Sequence, residues 1–125
     1  MGRMRDLRLL VAGPAGAGVF VTGNILAKTL MRHGYEVFAT NEYPSLIRGG
    51  QQWVQVIASA EGAVYAHRRG ADLLLALDKN ALVSNLGRLR DGGLAVCDAG
   101  DRVDDPRVAA LPLRETVKRL GAPLV

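Results

Sequence analysis

Gly13, Gly16 and Gly18 follow an apolar run, residues 7–12, at a spacing that can present backbone N–H groups to an anion. Glycine allows the chain to turn tightly and lets a ligand approach the backbone without meeting a Cβ atom. The spacing is G-x-x-G-x-G rather than the dinucleotide-binding G-x-G-x-x-G, and the Lys-Ser/Thr pair of a P-loop does not follow. The same glycines would suit a tight, closely packed turn between a strand and a helix. Ligand contact and close packing therefore remain two open interpretations.

A second candidate segment, residues 42–52, combines a proline turn with an arginine, paired glycines and amide side chains. The guanidinium of Arg48 and the backbone of Gly49 and Gly50 suit a phosphate, a carboxylate or a partner chain. The alternative is a solvated loop in which Arg48 pairs with Glu42. An acidic residue near the end of a second strand is also what a dinucleotide site needs, but the proline and the glycines replace the helix expected after it.

Short apolar runs separated by turn residues predict strands that must position these segments. An antiparallel β-hairpin is predicted where a β-branched run is followed by a Glu-Gly turn and a short return strand. The predicted strands are residues 7–12, 35–40, 53–59 with its return strand 64–66, 72–77 and 94–98.

Leucine and valine at helical spacing predict three helices between these strands. The first begins near Val19, the second follows the N-cap Asp78, and the third runs from Leu113 to a stop at Gly121. The second helix contains Leu82, Leu86 and Leu89, whereas residues 99–112 read as a loop. The alternation predicts an α/β, three-layer Rossmann-like domain with a mostly parallel sheet and an antiparallel hairpin.

The composition is that of one globular domain. The 125 residues are 49% hydrophobic and 22% charged, and no apolar run approaches the roughly 18 residues of a membrane-spanning helix. No signal-peptide pattern precedes the first strand, so we expect a cytoplasmic protein with no membrane partner. The net charge of +4 permits a phosphate-bearing ligand or an acidic partner surface but does not indicate nucleic-acid binding.

The single cysteine, Cys97, excludes an internal disulfide and a four-thiolate iron–sulfur or Cys-rich zinc site in this chain. It lies in an apolar run and is predicted to be a buried small hydrophobic residue rather than a nucleophile. His33 and His67 have no convincing metal partner, so no metal site is predicted. Trp53 and Tyr43 are candidates for interface anchors, although a core position would suit Trp53 equally.

The two motifs together resemble the paired signatures of the γ domain of 2-oxoacid:ferredoxin oxidoreductases. The resemblance rests on G-P-A-G-A-G-V at residues 13–19, on T-G at 22–23 and, most specifically, on E-Y-P-S-L-I-R-G-G at 42–50. Residues 71–78 and 92–98 are similar to later strands of that domain. The second motif is especially similar to forms in which the γ domain is fused ahead of the α subunit.

The resemblance implies an enzyme that uses thiamine diphosphate to decarboxylate a 2-oxoacid such as pyruvate or 2-oxoglutarate, forms an acyl-CoA and passes electrons through iron–sulfur clusters to ferredoxin. The sequence has neither a thiamine-binding G-D-G signature nor the cysteines of a cluster. These cofactors are therefore expected in the α and β partner subunits, with ferredoxin an indirect partner. No catalytic residue is predicted in this chain.

Within such an enzyme the resemblance implies packing against the thiamine-binding domains and a possible contribution to the coenzyme A entrance. The predicted cofactor-contacting residues are Gly13, Gly16, Gly18, Arg48, Gly49 and Gly50. The predicted partner-contacting residues are Glu42, Tyr43, Pro44, Ser45 and Trp53.

We expect residues 1–125 to form a single γ-type domain of the pyruvate:ferredoxin oxidoreductase kind. It is expected to continue past residue 125, since residues 122–125 look like the approach to a strand. Two other hypotheses remain open, a stand-alone Rossmann-like nucleotide- or anion-binding module and a scaffold without a ligand.

Overall fold

The computed structural model describes residues 6–42, 50–61 and 70–121. Within these ranges the chain forms a six-stranded sheet and three α-helices. None of the described helices is both long and apolar enough to cross a membrane. The strands are β1 (Asp6–Pro14), β2 (Glu36–Glu42), β3 (Gln51–Ser59), β4 (Ala71–Ala76), β5 (Leu89–Asp98) and β6 (Val108–Leu111). The helices are α1 (Val19–Arg32), α2 (Lys79–Asn85) and α3 (Leu113–Arg119).

The strands lie in the order β2-β3-β1-β4-β5-β6. The pairs β1–β4, β4–β5 and β5–β6 are parallel, whereas β3 is antiparallel to both β1 and β2. The predicted mostly parallel sheet with an antiparallel element is therefore confirmed. The described partners of the 53–59 strand are β1 and β2, and the predicted return strand 64–66 lies outside the described residues.

Two hydrophobic core clusters of the described residues lie on opposite faces of the sheet, because alternate residues of a strand point to opposite sides. Leu9 and Val11 of β1 pack with Val19 and Ala27 of α1. Their neighbours in β1 pack instead with Leu82 of α2. One helix on each face makes three layers, as predicted.

The second helix is shorter than its leucine spacing predicts. It ends at Asn85, a 3₁₀ turn occupies Leu86–Arg88, and Leu89 already belongs to β5, where it pairs with Ala71. Leu86 and Leu89 still pack against the same cluster as Leu82. The same apolar spacing thus serves a helix, a turn and a strand in succession, which is why the prediction of one helix through Leu89 was wrong.

The prediction of a loop over residues 99–112 was also wrong, because β6 lies within it. This strand has four residues and pairs in parallel with the end of β5, Ala95 with Val108 through Asp98 with Leu111. Two of its four residues are alanine, which has little intrinsic strand preference. Pairing with β5 therefore contributes more to this strand than the local sequence does.

Candidate functional site

The glycine turn joins β1 to α1 at the edge of the sheet where the parallel strands end. Ala17 N donates to Pro14 O at 3.1 Å, and Thr22 N donates to Gly18 O at 2.9 Å to begin the helix. Gly16 and Gly18 have φ angles of +87° and +85°, which residues with a Cβ atom adopt at a cost. Crevices outside the carboxyl ends of parallel strands are where open α/β sheets bind ligands.

The three glycines of this turn have different surroundings. A Cβ atom at Gly13 would lie 2.9 Å from Leu77 Cβ and 3.1 Å from Val19 Cγ2, so this glycine is needed for close packing. A Cβ atom at Gly16 or Gly18 would have no described heavy atom within 4 Å. Close packing therefore accounts for Gly13, whereas Gly16 and Gly18 leave the backbone open to approach from outside.

The two motifs of the sequence meet in the structure. Ala15 N in the glycine turn donates to Gly50 O at 3.1 Å, because β3 lies beside β1 and begins directly after Gly50. On the other side, Gln51 Nε2 donates to Asp78 Oδ2 at 3.4 Å. Gln51 Oε1 is buried and has no hydrogen-bond partner among the described residues. The glycine turn and the end of the 42–52 segment thus form one surface.

Asp78 has the helix-capping role that its position predicts. Its Oδ1 accepts from Ala81 N at 2.7 Å at the start of α2. The residue before it, Leu77, donates its backbone N–H to Ala12 O at 2.9 Å, directly before the glycine turn. The carboxylate of Asp78 is therefore held close to the glycine turn.

Several predicted site residues lie outside the described part of the chain. The predicted pairing of Arg48 with Glu42 involves one of these residues, so the described part of the chain does not test it. The residues concerned are Tyr43, Pro44, Ser45, Arg48 and Gly49.

Glu42 and Trp53 lie opposite each other on β2 and β3. Trp53 Nε1 donates to Glu42 Oε2. Glu42 is the last residue of β2, as expected for the acidic residue of a dinucleotide site, but β3 separates β2 from β1. At about 4.8 Å per strand spacing, Glu42 is roughly two strands, or 10 Å, away from the strand that carries the glycine turn. This arrangement does not match a dinucleotide site.

Trp53 also forms one wall of a cleft on the α2 side of the sheet. The cleft has a volume of about 490 Å³ and is lined in addition by Glu42, Leu10, Arg88 and Arg90. The Arg88 Cζ atom lies 4.5 Å from the centre of the Trp53 ring. Arg88 and Arg90 follow α2 in the chain, and sequence reasoning missed them because no local pattern connects them to Trp53.

A network of charged groups fastens α3 to the end of β5. Arg114 donates from its backbone N to Asp98 Oδ1 at 2.8 Å, from Nη1 to Asp98 Oδ2 at 3.0 Å and from Nη2 to Asp101 Oδ2 at 2.9 Å. The backbone N–H groups of Arg114 and Gly100 hold the pKa of Asp98 below its ordinary value. The network has a structural role in joining α3 to the sheet.

Cys97 is fully buried in β5, as predicted. Burial raises the pKa of its thiol, and Asp101 and Asp98 raise it further. We therefore expect the native chain to react with Ellman's reagent at pH 8 roughly 100-fold more slowly than the chain in guanidinium chloride, because attack requires opening of the sheet. Stopped-flow absorbance with and without denaturant measures both rates, and equal rates would contradict a closed β5.

The sheet order and the glycine turn at its carboxyl edge define a Rossmann-like α/β domain. Residues 8–125 match the family model of the pyruvate ferredoxin/flavodoxin oxidoreductases. The chain belongs to this family.

Curated relatives name the components to which the chain is similar. It is 33% identical over 125 residues to 2-oxoacid:ferredoxin oxidoreductase 2, subunit alpha, of Aeropyrum pernix. The aligned region covers 94% of this chain and 18% of that protein. It is 29% identical over 121 residues to the 2-oxoglutarate synthase subunit KorC of Archaeoglobus fulgidus, covering 96% of this chain and 64% of that subunit. The chain thus spans about a fifth of the first relative and somewhat under two thirds of the second.

Solved structures agree with this assignment. The γ subunit of the keto/oxoacid ferredoxin oxidoreductase from Geobacter sulfurreducens superposes with a TM-score of 0.80 at 25% identity, over 94% of this chain and 67% of that one. The 2-oxoglutarate:ferredoxin oxidoreductase from Magnetococcus marinus, with 2-oxoglutarate, coenzyme A and succinyl-CoA bound, superposes with a TM-score of 0.81 at 28% identity, over 96% and 22%. The resemblance to the γ domain is confirmed.

Proposed function

We propose that this chain is the noncatalytic γ component of a thiamine diphosphate-dependent 2-oxoacid:ferredoxin oxidoreductase. The complete enzyme converts a 2-oxoacid and coenzyme A to an acyl-CoA and CO₂ and passes the electrons to ferredoxin. The observation that carries the proposal is the hydrogen bond between Ala15 and Gly50, which joins both motifs of the family into one surface at the carboxyl edge of the sheet. The match to γ subunits over most of the chain supports it.

The chemistry of the described side chains agrees with a supporting role. Cys97 is the only cysteine and is buried, so it is not a ligand for an iron–sulfur cluster at the surface. Within the described residues no group of three or more His, Cys, Asp or Glu side chains could hold a metal ion. The proposal places thiamine diphosphate and the clusters in the α and β partners, and it places the complex in the cytoplasm without nucleic acid or membrane.

The glycine surface has two proposed tasks, packing against a partner subunit and shaping the coenzyme A entrance. Gly16 and Gly18 suit either task because nothing described covers them. Exposed backbone N–H groups at a strand-to-helix turn can bind a phosphate, and Arg48 would add a charged donor to them. The carboxylate of Asp78 makes the turn less favourable for an anion, so Arg48 has to supply the compensating charge.

The family role is tested by reconstitution. The 125-residue chain is combined with candidate α and β subunits of such an enzyme from the same source, and ferredoxin reduction by 2-oxoacid and coenzyme A is measured with the chain present, absent and added back. Activity that falls at least about tenfold without the chain and returns on addition supports the proposal. Full activity without it, together with tight dinucleotide binding by the isolated chain, would favour the stand-alone nucleotide-binding module.

The coenzyme A task gives a separate prediction. In the reconstituted complex, Arg48→Ala is expected to raise KM for coenzyme A about tenfold, because a charge-assisted hydrogen bond to phosphate contributes about 1.5–3 kcal/mol. The KM for the 2-oxoacid should not change, and Arg32→Ala on the exposed side of α1 is the matched control. An unchanged KM with weaker recovery of the companion subunits would instead assign Arg48 to subunit contact.

A further inference from the structure

The cleft beside Trp53 is separate from the glycine surface and has the properties of a small-molecule site. Its volume is about 490 Å³, and its floor is apolar, formed by Leu10, Ala71 and Leu89. A concave site of a few hundred Å³ with an apolar floor and a few polar groups is typical of ligand pockets. Gln55, whose side chain is only 6% exposed, also lines it.

The charged groups of the cleft indicate which ligand would bind. The Arg90 guanidinium pairs with Asp72, Nη1 to Oδ1 at 3.3 Å, and the Glu42 carboxylate accepts from the Trp53 indole. Arg88 lies over the indole ring, 4.5 Å from its centre, and has no acidic partner among the described residues. The bond from the neutral indole leaves the negative charge of Glu42 in place, and Glu42 also lines the cleft. What Arg88 offers a ligand is therefore a guanidinium without an ion-pair partner among the described residues, rather than a net positive charge of the cleft.

Stacking on the Trp53 indole holds the Arg88 guanidinium in an orientation that suits anion binding. A guanidinium over an aromatic face is favoured by about 0.5–2 kcal/mol, and stacking leaves its N–H groups at the edge available to an anion. The hydrogen bond to Glu42 fixes the indole in turn. At the lip of the cleft, Gly70 has a φ of +84°, and a Cβ atom there would lie 2.7 Å from Arg90 Cγ. Glycine at this position lets the arginine stem lie against the lip.

We propose that this cleft binds a small organic anion. Its carboxylate or phosphate pairs with Arg88, and its apolar part lies on Leu10, Ala71 and Leu89. The cleft shares no lining residue with the glycine turn, and binding to the isolated chain can be measured whether or not the proposed function holds.

The single tryptophan of the chain makes the test direct, since Trp53 is the only indole fluorophore. Benzoate and its neutral analogue benzamide are titrated into the 125-residue chain at constant ionic strength, with fluorescence and backbone amide NMR shifts as readouts. Saturable binding of benzoate is expected, with shifts at Gly70 and Gly87 and about tenfold weaker binding of benzamide.

Variants assign the charge to one residue. Arg88→Gln is expected to weaken benzoate binding about tenfold, and Arg88→Lys less, because lysine keeps the charge but not the planar fork. Arg32→Gln, which removes an exposed charge elsewhere, should have no effect. Equal affinity for the two probes, unchanged binding by Arg88→Gln, shifts confined to the glycine turn or no saturable change would each overturn the proposal.

Discussion

Replacing Gly23 with alanine is expected to lower the free energy of unfolding by about 1–2 kcal/mol, although alanine is the better helix former. An added Cβ atom would lie 2.7 Å from Val54 Cγ1 and 2.9 Å from Val54 Cβ. Val54 is 2% exposed in β3, so it has little room to move away. Overpacking a well-packed core costs about 1–3 kcal/mol, which outweighs the gain of about 1 kcal/mol in helix propensity.

Whether Gly23→Ala lowers or raises the free energy of unfolding tests how closely α1 packs on β3. Equilibrium denaturation of Gly23→Ala is compared with Asn24→Ala, an exposed neighbour in the same helix. Val54→Ala in combination with Gly23→Ala should recover part of the loss, since the smaller side chain makes room for the new methyl group. A Gly23→Ala chain more stable than the parent would mean that α1 lies farther from the sheet.

The first strand, the glycine turn and the first helix were predictable because each depends on residues close in sequence. The apolar run before Gly13 is as long as a strand, and Gly23 and Ala27 recur on the buried side of α1. The capping role of Asp78 is local in the same sense. Periodicity and turn chemistry are sufficient for such elements.

The meeting of the two motifs was not predictable in the same way, because it depends on pairing between distant strands. The contact of Ala15 with Gly50 follows from the antiparallel pairing of β1 with β3, and strand order is a long-range property. The cleft beside Trp53 was even less predictable from the sequence. Trp53 in β3 contacts Arg88, which precedes β5, although β1 and β4 lie between these two strands. From the sequence alone, Trp53 suits a core position and an interface position equally well.

Replacing Leu74 with alanine is expected to lower the free energy of unfolding by about 2–5 kcal/mol. Leu74 is fully buried in β4 and belongs to the cluster that contains Leu82 of α2. The loss combines the transfer free energy of the removed atoms with a cavity that the surrounding strands cannot fill. A domain of this size has about 5–15 kcal/mol of stability in total, so the variant could approach the unfolding threshold.

The neighbouring residue provides the matched control. Leu73 points to the opposite face, where it is half-buried beside an apolar groove of about 150 Å³ that it shares with Leu75 and Val96. Leu73→Ala removes the same atoms but leaves no enclosed cavity, so its cost should be well below that of Leu74→Ala. Urea denaturation of both variants measures the difference. Equal losses would mean that the two faces of β4 are covered alike, and hence that the groove is closed in solution by something other than the described residues.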